Sequence, residues 1–235
     1  FGLDQPLLTQ YLKWVGGLVR GDLGFAYVTE KPAIDEILPR IPITAKLVAD
    51  LLTAAPPKAP ALAFGDQAWT FGALADDVTR VAALVAGRTA PGDRVALIGR
   101  NRPGYLSALY GIPLAGRVAV PLNQRLAPAE LETQVRKVGA ALVVSDLPGA
   151  VPWAEWEAEV AATAPEPDLP RPAAGDPAWI LFTSGTTGSP KGAVLTQAAL
   201  AANAQQSVHM HDLVAADHVL TALPMFHVGG LNIQT

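Results

Sequence analysis

Residues 179–196 read Trp-Ile-Leu-Phe-Thr-Ser-Gly-Thr-Thr-Gly-Ser-Pro-Lys-Gly-Ala-Val-Leu-Thr, and this stretch decides the fold of the chain around it. An apolar run at 178–182 has the length and the residue types of a buried strand. A loop rich in glycine and hydroxyl groups follows at 183–188, and a second short apolar run occupies 193–195. The pattern therefore predicts a strand, a loop and a second strand, and not a loop that enters a helix.

The composition of this loop favours a bound phosphate. Gly185 and Gly188 can adopt positive φ angles, and consecutive backbone N–H groups in such a turn form a concavity that binds anions. The Lys191 ammonium and four hydroxyl groups are further donors. The hydroxyl groups belong to Thr183, Ser184, Thr186 and Thr187. A Walker A loop requires G-x-x-x-x-G-K-[ST] before a helix, whereas Pro190 precedes this lysine and Gly192 follows it. The alternative is an ordinary hairpin turn that binds no ligand.

The loop closely resembles the signature loop of the adenylate-forming superfamily, which includes acyl-CoA synthetases, non-ribosomal adenylation domains and luciferases. That signature reads roughly [ST]-S-G-[ST]-[ST]-G-x-P-K-G, and residues 183–192 match it throughout. In the family this loop holds the β- and γ-phosphates of ATP. The resemblance implies the same role here for Thr183 to Gly188 together with Lys191.

The composition sets broad limits on the class of protein. The chain has 235 residues, of which half are hydrophobic and 16% are charged, with a net charge of −4. No cluster of Lys and Arg indicates a nucleic-acid partner. The absence of Cys excludes disulfides and thiolate metal sites, which fits a reducing compartment. No run of 18 apolar residues and no signal peptide occurs, so we expect a cytoplasmic location without a membrane span in this chain.

Residues 1–47 differ in character from the rest of the chain. Apolar residues at helical spacing predict an amphipathic helix at about 5–19, and the segment is expected to form a helical extension. Its motifs, at 2–7, 21–24 and 42–47, resemble the extracytoplasmic segment of an oligopeptide/dipeptide ABC transporter permease. Because the chain starts with Phe1 and ends at Thr235 inside a motif, we expect a fragment or a fusion.

Residues 48–235 are expected to form the second domain, an α/β structure. Strands are predicted at 61–64, 69–71, 94–98, 118–122 and 141–144, and helical patterns lie between most of them. This alternation favours a mostly parallel sheet with helices on both faces. Residues 69–74 and 114–123 resemble the first two core motifs of the adenylate-forming family. The resemblance implies an incomplete version of that family's large N-terminal domain.

Two segments beside the signature loop carry weaker signals. Residues 147–177 are rich in Pro, Ala and Glu and predict a linker, in which Trp153 and Trp156 belong to a short helix on the surface. After the loop, Thr196 is expected to cap a helix that runs to about His211. Positions i and i+2 point in very different directions on a helix, so His209 and His211 do not favour a metal site.

The last informative stretch is 217–231. A strand is predicted at 218–223, followed by a turn and a helix. The sequence from Pro224 to Leu231 resembles the family's fourth motif, in the form most like that of acyl-CoA synthetases. The resemblance implies that an acyl-binding pocket is shaped by Phe226 and His227, with Gly229 and Gly230 beside them.

The resemblance also implies the chemistry. A carboxylic acid would be activated by ATP as an acyl-adenylate and passed to coenzyme A, with Mg²⁺ as the metal ion. The family's motif for adenine and Mg²⁺, its ribose-binding Asp, its hinge and its C-terminal lysine cannot be placed in this sequence. We therefore expect a fragment of an acyl-CoA synthetase that is inactive alone. The alternative is a non-catalytic fusion or truncated product that carries part of a permease.

Overall fold

The computed structural model describes most of the second half of the chain and little of its first fifty residues. The described residues are 25–26, 31–32, 55–166, 168–183, 190–212, 214 and 217–231, without the side chains of residues 25–26, 31–32 and 209. The chain divides into two units, Phe1–Ala45 and Lys46–Thr235. In the first unit, β1 (Phe25–Ala26) and β2 (Lys31–Pro32) form a short antiparallel pair. The helix predicted at 5–19 lies outside the described residues.

The second unit begins with an antiparallel hairpin that leads into a helix. The strands are β3 (Pro60–Phe64) and β4 (Gln67–Thr70), joined through Gly65, whose φ is +59°. Helix α1 (Phe71–Arg88) starts directly after Thr70, whose hydroxyl accepts a hydrogen bond from the Ala73 N–H at 3.2 Å. The hydroxyl satisfies one of the donors that every helix leaves unpaired at its start.

A five-stranded sheet forms the centre of this unit, in the order β7-β5-β6-β8-β9. The strands are β5 (Arg94–Ile98), β6 (Val118–Leu122), β7 (Ala140–Ser145), β8 (Pro177–Thr183) and β9 (Lys191–Thr196). The helices that follow α1 are α2 (Pro103–Leu114), α3 (Pro128–Val138), α4 (Trp153–Ala162), α5 (Gln197–Met210) and α6 (Val228–Leu231). Every neighbouring pair is parallel except β8 with β9. The expected mostly parallel sheet is confirmed.

The order of the strands explains which helix covers which face. The connection from β5 to β6 runs in one direction across the sheet, and the connection from β6 to β7 runs back across β5. Right-handed crossovers then place α2 and α3 on opposite faces, and the return from β7 to β8 places α4 on the face of α2. The side chains agree, because Leu97 packs in one cluster with Leu109 and Trp156, while Ile98 packs in a second cluster with Leu131. Helices on both faces are therefore confirmed.

Trp153 and Trp156 do not lie on the surface, and that prediction was wrong. Both side chains are fully buried, because α4 is the helix that crosses from β7 to β8 against the sheet. The indole N–H of Trp153 donates to the Ile98 carbonyl at 2.8 Å, and its ring stacks on Tyr105 at 5.4 Å between centroids. The surrounding sequence is rich in Pro and Ala, which is typical of a linker, and it therefore gave no indication of a core helix.

The strand predicted at 218–223 is also absent from the structure. These residues form no ladder, and the side chains of Val219 and Leu220 are 48% and 86% exposed. Apolar and β-branched residues favour a strand only where a neighbouring strand pairs with them. The helix capped by Thr196 is confirmed, since the Thr196 hydroxyl accepts from the Ala199 N–H at 3.2 Å and α5 continues to Met210. None of the described helices is long and apolar enough to cross a bilayer.

Candidate active site

The signature loop connects two antiparallel strands. Thr183, the last residue of β8, is paired with Lys191, the first residue of β9, and the Thr183 hydroxyl donates to the Lys191 carbonyl at 3.4 Å. The strand, loop and second strand expected from the sequence are confirmed at both ends of the loop. The predicted phosphate-binding residues from Ser184 to Gly188 lie outside the described residues.

The pairing of β8 with β9 holds the two ends of the loop next to each other. Thr183 and Lys191 are both exposed, so their polar groups are available to a ligand. Gly192 is required for a steric reason, because a Cβ atom at this position would lie 2.8 Å from Cγ2 of Ile180 in the paired strand. The hydroxyl and the ammonium therefore belong to a hairpin end whose backbone spacing is fixed by pairing.

A second cation contacts the end of the loop. The ammonium group of Lys137 donates to the Pro190 carbonyl at 2.6 Å, from the last turn of α3. It thereby places positive charge next to the residue that precedes Lys191. Sequence reasoning missed Lys137, because it reads as an ordinary solvent-facing lysine near the end of a helix and is 53 residues away along the chain.

The direction of β8 agrees with a ligand-binding role for the loop. β8 runs parallel to β6, with Trp179 paired to Ala119, and the loop follows the carboxyl end of β8. In open α/β sheets, ligands bind outside the carboxyl ends of the parallel strands. The loop therefore leaves the sheet where this fold class places its sites.

The second group of predicted site residues surrounds a tight turn into α6. The backbone N–H of His227 donates to the Pro224 carbonyl at 3.1 Å, and the N–H of Gly229 donates to Nδ1 of His227, also at 3.1 Å. Since Nδ1 accepts a hydrogen bond, the proton of the neutral ring sits on Nε2. His227 is exposed and Phe226 is half-buried. The turn thus presents an imidazole N–H donor next to an aromatic ring.

The two glycines of this turn are not equivalent. Gly230 is buried, and a Cβ atom there would overlap the Pro224 carbonyl, so only glycine fits. At Gly229 a Cβ atom would make ordinary contacts of 3.5 Å, one of them to Nδ1 of His227. Gly230 is therefore needed to close the turn, whereas Gly229 supplies the N–H that orients the histidine.

Asn101 attaches this turn to the central sheet. Its side-chain amide nitrogen donates to the Leu223 carbonyl at 2.9 Å, and its side-chain oxygen accepts from the Met225 N–H at 2.9 Å. Asn101 lies just after the carboxyl end of β5, so the turn is held at that edge of the sheet. Sequence reasoning did not find this role of Asn101. A single sequence gives no signal for a contact that spans more than 120 residues.

The described site residues therefore fall into two groups, and both groups are supported by the same hydrophobic cluster. Thr183 and Lys191 lie together at the hairpin end, and His227, Gly229 and Gly230 lie together at the turn. Residues that flank both groups pack in the same hydrophobic cluster. These are Trp179, Leu181, Met225 and Leu231.

The described residues contain titratable groups, but these groups do not form a metal-binding cluster. No group of three or more His, Asp or Glu side chains in the described ranges could hold a metal ion. The strongly shifted titratable groups are core residues, since burial raises the pKa of Tyr105 and of Tyr110 far above the ordinary value for a phenol. Both phenols therefore stay neutral. Lys137 and Lys191 place two positive charges at the described end of the loop.

A mostly parallel α/β sheet that ends in a hairpin with this loop defines the class of adenylate-forming enzymes. The model of the AMP-binding enzyme family matches residues 52–235, and the chain belongs to this family.

Curated relatives and solved structures agree with the family. The chain is 37% identical to an indoleacetate–CoA ligase from Aromatoleum aromaticum, over 76% of this chain and 40% of that protein. It is 36% identical to a feruloyl-CoA synthase from an Amycolatopsis species, over 75% of this chain and 38% of that protein. The crystal structure of ATP-bound MatB from Rhodopseudomonas palustris matches 79% of this chain and 41% of that chain, with a TM-score of 0.71 and 28% identity. The chain thus spans about two fifths of the length of these relatives.

We predict that replacing Asn101 with Leu loosens the turn at 223–231. The change removes two hydrogen bonds and leaves the Leu223 carbonyl and the Met225 N–H without these partners, which costs about 1–2 kcal/mol of unfolding free energy. Urea unfolding measures this loss, and limited proteolysis reports where the chain becomes accessible. Asn123→Leu is the matched control, because Asn123 accepts only a local bond from the Arg125 N–H. Equal cleavage within 223–231 in both variants would contradict the assignment.

Proposed function

We propose that this chain is the ATP-phosphate-binding part of an acid–thiol ligase. The enzyme activates a small carboxylic acid as an acyl-adenylate and transfers the acyl group to coenzyme A. The observation that carries the proposal is the pairing of Thr183 with Lys191. These two residues lie at the end of the hairpin whose strands flank the signature loop. The names of the relatives support the reaction class, since both curated relatives quoted above are CoA ligases or synthases.

The loop contributes to the first half-reaction. One carboxylate oxygen attacks the α-phosphorus of ATP, and the bond to the bridging oxygen breaks so that pyrophosphate leaves. Such a reaction depends on positioning and on neutralising phosphate charge rather than on covalent catalysis by the protein. Thr183, Ser184, Gly185, Thr186, Thr187 and Gly188 would hold the β- and γ-phosphates by N–H and hydroxyl donors. The Lys191 ammonium would neutralise part of their charge.

The turn at 224–230 would contribute to the acyl site. Phe226 offers an apolar surface, and His227 offers an Nε2–H donor whose orientation is set by the bond from Gly229. These groups suit a carboxylic acid with an apolar portion. In the second half-reaction the thiol sulfur of coenzyme A attacks the acyl carbonyl carbon, and AMP leaves. Both ATP and coenzyme A are cellular metabolites, which supports a cytoplasmic location.

Mg²⁺ is implied by the family, and the described residues contain no group of three or more His, Asp or Glu side chains that could hold it. In nucleotide sites Mg²⁺ is bound largely by phosphate oxygens and water, so it would enter with ATP. This chain would bind the ATP phosphates through its backbone N–H donors, its hydroxyl groups and its lysines.

We predict that the purified chain binds ATP through the triphosphate alone. Inorganic tripolyphosphate should bind within about tenfold of ATP, and AMP should give no detectable heat in calorimetry, since nucleoside-binding motifs are not found in this sequence. Lys191→Met should weaken tripolyphosphate binding about tenfold or more, the usual size for a charge-assisted contact. Lys58→Met, the same change at an exposed turn before β3, should leave binding unchanged. Equal binding of AMP and ATP would contradict the proposed role of the loop.

We also predict that the chain by itself does not turn over. It corresponds to about two fifths of the curated relatives, and it carries exposed apolar side chains such as Leu220 and Met210, at 86% and 76%. Exposed apolar surface of this kind is typical of a face that another part of a protein covers. A thioester assay with a fatty acid, ATP and coenzyme A should give no product, and formation of a thioester would refute the prediction.

The alternative is a non-catalytic fusion that carries part of a peptide transporter permease. It is favoured by the sequence motifs of residues 1–47, which precede the family match at 52–235. The coding DNA on both sides tests it. Transmembrane helices encoded upstream of Phe1 would favour the permease origin, whereas a reading frame that continues beyond Thr235 into the remaining family motifs would favour the enzyme.

A further inference from the structure

Helix α2 is interrupted near its end by a proline. Pro113 has no backbone N–H, so the Leu109 carbonyl loses the donor that a regular helix supplies from four residues further on. The indole N–H of Trp179 donates to this carbonyl at 2.9 Å instead. Trp179 is only 2% exposed, so the bond is formed inside the core. A side chain of β8 therefore replaces the missing helical hydrogen bond.

The end of the same helix binds a second side chain. Gly116 has a φ of +72°, and its N–H donates to the Pro113 carbonyl at 3.0 Å, which closes the helix in a left-handed turn. A carbonyl has two lone pairs, and the second one accepts from Nε2 of Gln197 at 3.1 Å. Gln197 is the first residue of α5, directly after β9, and is 2% exposed.

Trp179 and Gln197 both lie at the base of the β8–β9 hairpin. Pro177 is paired with Thr196, and Trp179 is paired with Leu195. These pairs lie at the end of the ladder that is farthest from the Thr183–Lys191 pair. Thr183 is the fourth residue after Trp179 along the strand, which corresponds to a distance of about 13 Å. The two anchors therefore act on the end of the hairpin that is remote from the ligand.

Backbone contacts close this base further. The N–H of Gln197 donates to the Asp176 carbonyl at 3.0 Å, and the N–H of Ala198 donates to the Ala174 carbonyl at 2.9 Å. On the other side of the anchors, Leu109 and Ile112 of α2 are fully buried. The hairpin is thus attached at its base to a helix that is part of the core.

We propose that Trp179 and Gln197 are positioning residues for Thr183 and Lys191, the paired residues at the phosphate-binding end of the hairpin. Their hydrogen bonds to the proline-interrupted end of α2 fix the base of the hairpin and thereby the direction of its ladder. The ladder in turn holds Thr183 and Lys191 where the phosphates are bound. This inference rests on the proposed function, because it assigns a ligand to the end of the hairpin.

The test uses conservative single-residue variants of the 235-residue chain. Gln197→Met removes the donor and keeps a similar volume, and Trp179→Phe removes the indole N–H while it keeps an aromatic ring. Gln197→His restores a ring N–H donor. Gln205→Met is the matched control, because Gln205 lies on the same helix and its buried side-chain nitrogen has no hydrogen-bond partner among the described residues.

Two quantities are measured for each variant. The first is the dissociation constant of MgATP by calorimetry. The second is the hydrogen-exchange rate, without ligand, of peptides that contain 182–183 and 191–192. Exchange in β5 serves as an internal reference, since an unchanged rate there shows that the fold is intact.

We expect Gln197→Met and Trp179→Phe each to weaken MgATP binding about fivefold, the usual effect of one lost hydrogen bond. Exchange at the end of the hairpin should become faster while β5 is unchanged. Gln197→His should recover most of both effects, and Gln205→Met should show neither. If the original chain binds MgATP and Gln197→Met and Trp179→Phe bind it equally well, the proposal is overturned.

A failure of the proposed function is distinguishable from a failure of this inference. If the original chain does not bind MgATP, the phosphate role of the loop is wrong, and the anchors are then judged by exchange alone. Unchanged exchange at the end of the hairpin in Gln197→Met and Trp179→Phe would overturn the positioning role. Faster exchange there, with an unchanged β5, would support it. If one of these variants loses protection in β5 as well, the other variant decides the question by the same criterion.

Discussion

The backbone ladder between β8 and β9 holds Thr183 opposite Lys191, and the candidate site takes its shape from this pairing. Only one neighbouring strand, β6, joins β8 to the parallel part of the sheet, and it does so at Trp179. The hairpin is therefore anchored at its base, where Trp179 and Gln197 bond to α2, and it carries its polar residues at the other end. Such an arrangement lets a sheet present a loop to a ligand without placing the loop in the core.

The parallel sheet gives this hairpin a rigid support. Strand order and right-handed crossovers place α2 and α4 on one face and α3 on the other, so both faces of β5 and β6 are buried. A helix on each face also bonds to the hairpin or to the residue that follows it. Helix α3 contributes Lys137, and the end of α2 receives Trp179 and Gln197. The site thus depends on helices that contribute none of the predicted ligand-binding residues.

The sequence allowed the local elements to be predicted because their signals are local. The apolar strands, the Thr196 cap, and the strand–loop–strand pattern around the signature depend on neighbouring residues. The position of α4 and the conformation of 218–223 depend on tertiary contacts. Trp153 and Trp156 were therefore placed on the surface although they are buried, and Leu220 was placed in a strand although it is exposed outside any strand. Asn101 and Lys137 could not be found for the same reason, since each contacts a carbonyl far away along the chain. The assignment of 1–47 to a permease-like segment stays a prediction.

The central claim is that the end of the β8–β9 hairpin is where this chain binds the phosphates of ATP. Hydrogen exchange of the whole chain, recorded with and without saturating MgATP, tests it most directly. The account predicts slower exchange in the peptides that cover 183–191, with little change in β3, β4 and β7. Binding that leaves 183–191 unprotected and slows exchange elsewhere would contradict it.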